Sequence, residues 1–380
     1  MRSSVVPTGG RPTDRPLRIA LLGSSSYPIC EPFAGGLEAH IHQWATALTA
    51  LGHEVTLFAA DGSATDIASG MLRVRTLELS EISRSDPTTP ERMVNEHHAY
   101  LSLMLELAET GSQTYDLVHN HSLHYLPIAM SRMLDIPMLT TLHTPPFAWL
   151  ESAIAVSRGI TTSFAAVSRY TARQWEPVAG DVDVVFNGIA TDRWPVGPGG
   201  DHAVWSGRLV PEKGPHLAID AARAAGMPIR IAGPVQDERY FAQEIAPRLG
   251  PGVEYVGHLH RRDLAELVGR SAVALVTPVW DEPYGLVVAE ALSCGTPVAA
   301  FDRGGIPEIV DASSGRLARP DDVASLAAAL TQAAGLSRAD ARRRAQDVCS
   351  ETRMVDEYLH IYDRMLTRQG AAEPTTRVVG

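Results

Sequence analysis

Short apolar runs alternating with stretches of helical periodicity, along nearly the whole of this chain, constrain its fold more than any other feature. Apolar runs at 18–23, 54–59, 116–119, 138–142, 163–167 and 182–186 are spaced so that helices fit between them. A second series follows at 202–206, 228–231, 253–256, 273–277 and 298–301. Strands separated by helix-length segments call for crossover connections, and so for α/β domains with mostly parallel sheets. From 36 to 51 the pattern is helical, with Leu37, Ile41, Trp44, Leu48 and Leu51 expected on one buried face.

The chain's length suits two domains of ordinary size. The best break is the stretch 187–201, which holds Pro195, Pro198 and a Gly-Gly pair. The expected organisation is a flexible leader at 1–16, a first Rossmann-like domain at 17–190 and a linker at 191–201. A second Rossmann-like domain at 202–352, a helix at 353–368 and a flexible tail at 369–380 complete it. On the last helix Met354, Tyr358, Ile361, Tyr362 and Met365 share one face.

Composition removes several classes. A net charge of −11 argues against nucleic-acid binding and against attraction to anionic lipid. No apolar run approaches the ~18 residues of a membrane span, and the polar first segment lacks the apolar core of a signal peptide. Cys30, Cys294 and Cys349 are too few and too scattered for a disulfide framework or a zinc site. A cytoplasmic protein without stable membrane association is the expectation.

Lys213 is the only lysine among 33 basic residues, and it stands five residues after Arg208. A mobile ammonium beside a planar guanidinium suits a pyrophosphate. A solvated turn accounts for the pair equally well when it is taken alone. Glu282 and Glu290 follow, separated by seven residues. Pro283 suits a first helical turn, and Leu286, Ala289, Glu290 and Leu292 run on from it until Gly295 and Pro297. The amides of Tyr284, Gly285, Leu286 and Val287 would then form an anion site, with Glu290 on the same face as Leu286. A carboxylate there can accept from a vicinal diol.

The order Gly207-Arg208, Lys213, Glu282 and Glu290 resembles the retaining nucleotide-sugar glycosyltransferases of family 4, which have the GT-B fold. Gly35-Gly36-Leu37-Glu38-Ala39-His40, Asp116-Leu117-Val118-His119-Asn120-His121, Thr141-Leu142-His143-Thr144 and Gly304-Gly305-Ile306-Pro307-Glu308 extend the resemblance over nearly the whole chain. It implies two Rossmann-like domains facing a central cleft. The first would bind acceptor, the second nucleotide sugar, and the last helix would cross back to the first domain. It implies transfer of a hexose-type sugar from a UDP-linked donor to a small soluble acceptor. The arginine-for-lysine bias and alanine richness point separately to a GC-rich bacterial genome, a setting in which a metabolite or natural-product acceptor is expected.

By the same resemblance Arg208, Lys213, Glu282 and His143 are catalytic. Gly35, Gly36, Tyr284, Gly285, Leu286, Val287 and Glu290 bind donor, and no cofactor or essential metal is required. Front-face displacement, with the leaving phosphate taking the acceptor proton, is inherited in the same way. His121 and Ser168 are acceptor-side candidates, although Ser168 reads first as a helix cap. His119 and His121 have metal-ligand spacing, but no carboxylate or thiol accompanies them. Asp181-Val182-Asp183 reads as a solvated turn, Cys294 as packing and Glu308 as support at the cleft edge. Acceptor choice is expected in 80–90 and 92–109, where His97, His98 and Tyr100 lie. A nucleotide-sugar epimerase of this fold and a non-catalytic sugar- or nucleotide-binding protein are the competing readings. Neither a Gly-x-Gly-x-x-Gly after the first strand nor a Walker motif is present, which disfavours dehydrogenase and P-loop readings.

Overall fold

The computed structural model describes residues 12–68, 70–73, 77–85, 90–157 and 162–372. The expected leader therefore lies mostly outside the described residues, as do 86–89 of the acceptor stretch and 373–380 of the tail.

Two all-parallel sheets form. The first comprises β1 (Arg18–Leu22), β2 (Glu54–Ala59), β3 (Gly70–Arg73), β4 (Leu117–Asn120), β5 (Met138–Leu142), β6 (Thr162–Ala166) and β7 (Val182–Val184). Its order is β3-β2-β1-β4-β5-β6-β7. The second comprises β8 (Ala203–Ser206), β9 (Ile229–Ala232), β10 (Val253–Tyr255), β11 (Val273–Val276), β12 (Val298–Phe301) and β13 (Gly315–Ala318). Its order, β10-β9-β8-β11-β12-β13, repeats the same winding. β4, β5, β11 and β12 are buried along their whole length, as strands covered by helices on both faces must be. Strand order reverses at β1/β4 and at β8/β11, and the crevice beyond the carboxyl ends there is where open α/β sheets take ligands.

β3 and β13 are additions to the sequence reading. Both are four-residue edge strands, too short to carry a periodic signal. The Gly36–Ala50 helix buries His40, Ile41, Trp44, Ala45 and Leu48, whereas Leu51 is its exposed C-cap rather than part of the apolar face. The last helix is longer than expected at both ends, running Glu351–Ala372, so the segment from 369 to 372 is helical instead of a tail.

That helix packs onto the first domain. Met354, Tyr358, Ile361, Tyr362 and Met365 join Leu17, Ile19, Ile41 and Trp44 in one core. The Thr13 amide donates to Asp363 Oδ1 at 2.9 Å, so residues just after the undescribed start are tied to it as well. His119 anchors the contact from below. Its Nδ1 lies 3.2 Å from Trp44 Nε1 and 2.6 Å from the Tyr362 hydroxyl, and its Nε2 lies 2.8 Å from Thr141 Oγ1. An indole N–H only donates, so Nδ1 accepts and the proton sits on Nε2, donated to Thr141. Thr141 Oγ1 in turn is 3.1 Å from the Tyr358 hydroxyl. His119 is therefore a structural pin and not a ligand.

Candidate active site

Between the domains lies a cleft of about 470 Å³. From the first domain Gly35, Gly36, Glu38, His40 and His143 line it. From the second come Arg208, Lys213, Glu282, Tyr284, Gly285, Leu286, Val287 and Glu290. His121 and Ser168 are not on the wall.

Arg208 and Lys213 follow β8. Lys213 Nζ bonds Glu282 Oε2 at 2.5 Å, and Trp280 Nε1 donates to the same oxygen at 3.0 Å. The ammonium also stands 5.0 Å from the centre of the Trp280 ring. The two residues expected to act separately, on phosphate and on sugar, are thus a mutual ion pair. An ammonium has three donors, so one held by Glu282 leaves two for another acceptor. Arg208 donates to Gln236 Oε1 at 3.3 Å and has Glu212 at 4.0 Å. Gln236 Nε2 reaches the Ala34 carbonyl at 3.3 Å, which ties the loop before Gly35 to the second domain.

The helix expected to begin at Pro283 begins at Leu286 and runs to Ser293, with Gly285 as its left-handed N-cap. Leu286 and Val287 hold its first-turn amides, for which no preceding helical carbonyl exists. Tyr284 lines the cleft as a buried residue, its ring centre 5.9 Å from that of Phe186. Gly36 meets this helix across the cleft: a Cβ there would lie 3.0 Å from Leu286 Cδ1. The Glu290 carboxyl has no hydrogen-bond partner among the described residues, and desolvation pushes it up to about 7. Burial likewise raises Glu38, opposed by the charge of Arg208.

The turn carrying Glu282 is clamped by distant backbone. The Gly305 amide donates to the Glu282 carbonyl at 2.7 Å. Gly304 adopts φ 63°, and a Cβ on it would stand 2.1 Å from that carbonyl oxygen. Gly304→Ala is expected to lower stability by about 1–3 kcal/mol through strain. Displacing Glu282 should also lower turnover by about 10²-fold, which denaturation curves and initial rates would check.

Ser168 caps the Arg169–Ala179 helix, accepting from the Thr171 amide at 3.1 Å, and donates to the Pro283 carbonyl at 2.6 Å. Fully buried and committed at both ends, it is a cap and an interdomain fastener, which corrects its assignment to the acceptor side. Glu308 accepts from the Arg169 and Tyr170 amides at 3.0 and 2.6 Å, so the support expected of it also joins the two domains. Asp183 lies in edge strand β7 and pairs with Arg364, not in a solvated turn. Cys294 is buried as expected.

His121 lies behind the cleft wall, its Nδ1 2.9 Å from His143 Nε2. His40, which the pattern of single residues did not single out, joins them. The ring centres of His40, His121 and His143 are 5.2 Å apart in every pairing. Burial holds His40 at about 4 and His121 and His143 well below the usual imidazole range, so all three are neutral near pH 7.

Two doubly wound domains facing one cleft are the GT-B architecture. A family model described as "Glycosyltransferase Family 4" matches residues 34–193, and one described as "Glycosyl transferases group 1" matches residues 196–347. The chain belongs to the family 4 glycosyltransferases and is a transferase enzyme.

Among curated relatives, a glycogen synthase of Mycobacterium tuberculosis is 29% identical over 338 residues, covering 78% of this chain and 81% of the relative. A D-inositol 3-phosphate glycosyltransferase of Mycolicibacterium smegmatis is 27% identical over 95% of this chain and 94% of its own length. The fold matches sucrose-phosphate synthase from Thermosynechococcus elongatus with a TM-score of 0.73 at 18% identity, over 92% of this chain and 99% of that one. Anabaena Alr3699/HepE, solved in complex with UDP and glucose, gives 0.70 at 18% identity, over 92% and 100%. Among the described residues no helix is long and apolar enough to cross a membrane.

Proposed function

We propose that this glycosyltransferase moves a hexose-type sugar from a UDP-linked donor to a small soluble acceptor in the cytoplasm, with retention of configuration. The observation that carries the reading is the convergence of Arg208, Lys213 and the Leu286–Ser293 helix N-terminus on one cleft. As the bond to the sugar breaks, negative charge grows on the leaving phosphate. Preorganised cations and amides aimed there supply the stabilisation, so no metal is needed on the phosphates. The complex of HepE with UDP-glucose supports the choice of donor.

Glu290 accepts from the ribose diol, and Glu282, oriented by Lys213 and Trp280, accepts from sugar hydroxyls. His143 contacts the same sugar from the opposite wall. The acceptor attacks from the face of the departing phosphate, which takes its proton. The transfer itself is tested by supplying UDP-, GDP-, ADP- and dTDP-sugars with candidate acceptors and following nucleotide release and product configuration. Release without a new glycoside from any of them would count against transfer.

Glu290 gives this reading a pH signature. Ribose hydroxyls donate to the ionised carboxylate, so nucleotide binding favours the deprotonated form of a group whose free value is about 7. UDP affinity is expected to rise from about pH 5.5 to 7 and level off above it, with a proton released on binding below the midpoint. Glu290→Gln should remove that dependence, leaving only the part due to the nucleotide's own phosphate. Identical profiles for the two proteins, by calorimetry, would contradict the ribose contact.

A further inference from the structure

Building on the transfer reading above, we propose that the acceptor is a small polyol carrying a protonated amine, and that Glu96 holds its ammonium on the first-domain wall. Glu96 belongs to the Glu91–Thr114 helix and lines the cleft together with Ser24, Ser26, Tyr100 and His143. The helix itself places it there. Ala99, Tyr100, Leu103, Met104 and Leu107 form the buried face, and Glu96 stands one turn before Tyr100. The Tyr100 hydroxyl donates to the Gly23 carbonyl at 2.8 Å and accepts from the Ser25 amide at 3.2 Å, which fixes the loop after β1 against this turn. From that loop the Ser25 and Ser26 hydroxyls donate to Glu96 Oε1 at 3.3 and 3.4 Å.

Those two bonds are long, and a carboxylate has about four lone-pair sites. Among the described residues none bonds Oε2, and none pairs a cation with Glu96. No described arginine of residues 17–190 lines the cleft, and the chain's one lysine belongs to the second domain. Arg208 and Lys213 are taken up by the proposed phosphate site. Arg261 is paired with Glu31 at 3.1 Å, and both it and Arg193 act on His42. Glu38, the other carboxylate of the first-domain wall, feels the charge of Arg208. Glu96 is therefore the carboxylate of that wall left without a counter-charge. A phosphorylated polyol meets no cation there, whereas an ammonium gains a charge-assisted bond.

The rest of the wall suits hydroxyls. Among the described residues, both ring nitrogens of His40 and the Oδ1 of Asn187 have no hydrogen-bond partner. Both residues line the cleft, although they are only 3% and 5% exposed. Buried polar atoms left unpaired are costly, and a polyol hydroxyl both donates and accepts. Neutral His40 offers it one donor and one acceptor. Strand order β1-β4-β5 sets the Ser25 loop, which follows β1, close to His143, which follows β5. Held as an ammonium, the nitrogen has no lone pair and cannot attack. The nucleophile stays a hydroxyl, and the amine only positions the ring that carries it.

The test is acceptor binding by the intact chain with its phosphate site filled by saturating UDP. Calorimetry compares an inosamine, inositol and inositol 1-phosphate, three cyclitols that differ in charge. The inosamine is expected to bind about 10- to 100-fold more tightly than inositol, and the phosphate no more tightly than inositol. Glu96→Gln should bring inosamine and inositol to equal affinity, with UDP affinity reporting that the variant is folded. An inosamine that binds no better than inositol, or not at all, overturns the proposal. So does tighter binding of the phosphate, and so does an amine preference that survives in Glu96→Gln. Glycoside formation is followed in its own assay, so equal binding of the three cyclitols removes the amine subsite and leaves the transfer reading to stand or fall separately.

Discussion

Turnover of the Lys213→Ala enzyme is expected to fall by about 10²–10³-fold, the usual effect of deleting one preorganised group that stabilises developing charge. Two losses combine in this variant. On the proposed mechanism the leaving phosphate loses its compact cation, and Glu282 loses the partner that holds its carboxylate, keeping only the Trp280 N–H. The side chain is 21% exposed and takes no part in either sheet's core, so the denaturation midpoint should move little. Lys213→Arg is not expected to restore the rate, since a planar fork cannot keep Glu282 and a phosphate in one tetrahedral shell. Initial rates of nucleotide release, beside urea curves for the three proteins, decide it. A lysine-free enzyme that kept a tenth of its rate would remove Lys213 from the chemistry.

The largest loss of stability is expected at His119. Its ring is fully buried and bonded to Trp44, Tyr362 and Thr141. His119→Ala opens a cavity and leaves an indole N–H and a phenol hydroxyl without that acceptor. A cost of about 3 kcal/mol or more follows from stranding such groups in a packed core. The damage should fall on the junction between β4 and the last helix. Urea denaturation would measure it, and faster proteolytic cleavage within 351–372 would locate it. An unchanged midpoint would mean that the terminal helix is held by its apolar face alone.

Most of this architecture was legible because parallel strands buried on both faces must be apolar throughout. The runs at 138–142 and 298–301 coincide with β5 and β12 to the residue. Edge strands β3 and β13 escaped for the converse reason, since a strand with one neighbour needs neither length nor uniform apolarity. Pro283 read as a helix start by local rules, but Gly304 and Gly305 hold the 282–285 backbone in another shape from some twenty residues away. Tertiary contact overrode the local signal there. Both partners of the Lys213–Glu282 pair were visible singly, yet nothing in a linear reading joins side chains 69 positions apart. The histidine triad comes from the Gly36–Ala50 helix, the end of β4 and the end of β5. Only the β1-β4-β5 strand order brings those three places together.

The bond from Ser168 to the Pro283 carbonyl makes the turn that carries Glu282 common property of both domains. Any hinge motion that separates the Arg169–Ala179 helix from that turn breaks this bond, and with it the carboxylate contacts of Glu308 to Arg169 and Tyr170. The glutamate's alignment is thereby conditional on closure. On the proposed mechanism, parting the domains would dismantle the sugar-orienting turn together with the cleft, so donor would be activated only where water is excluded.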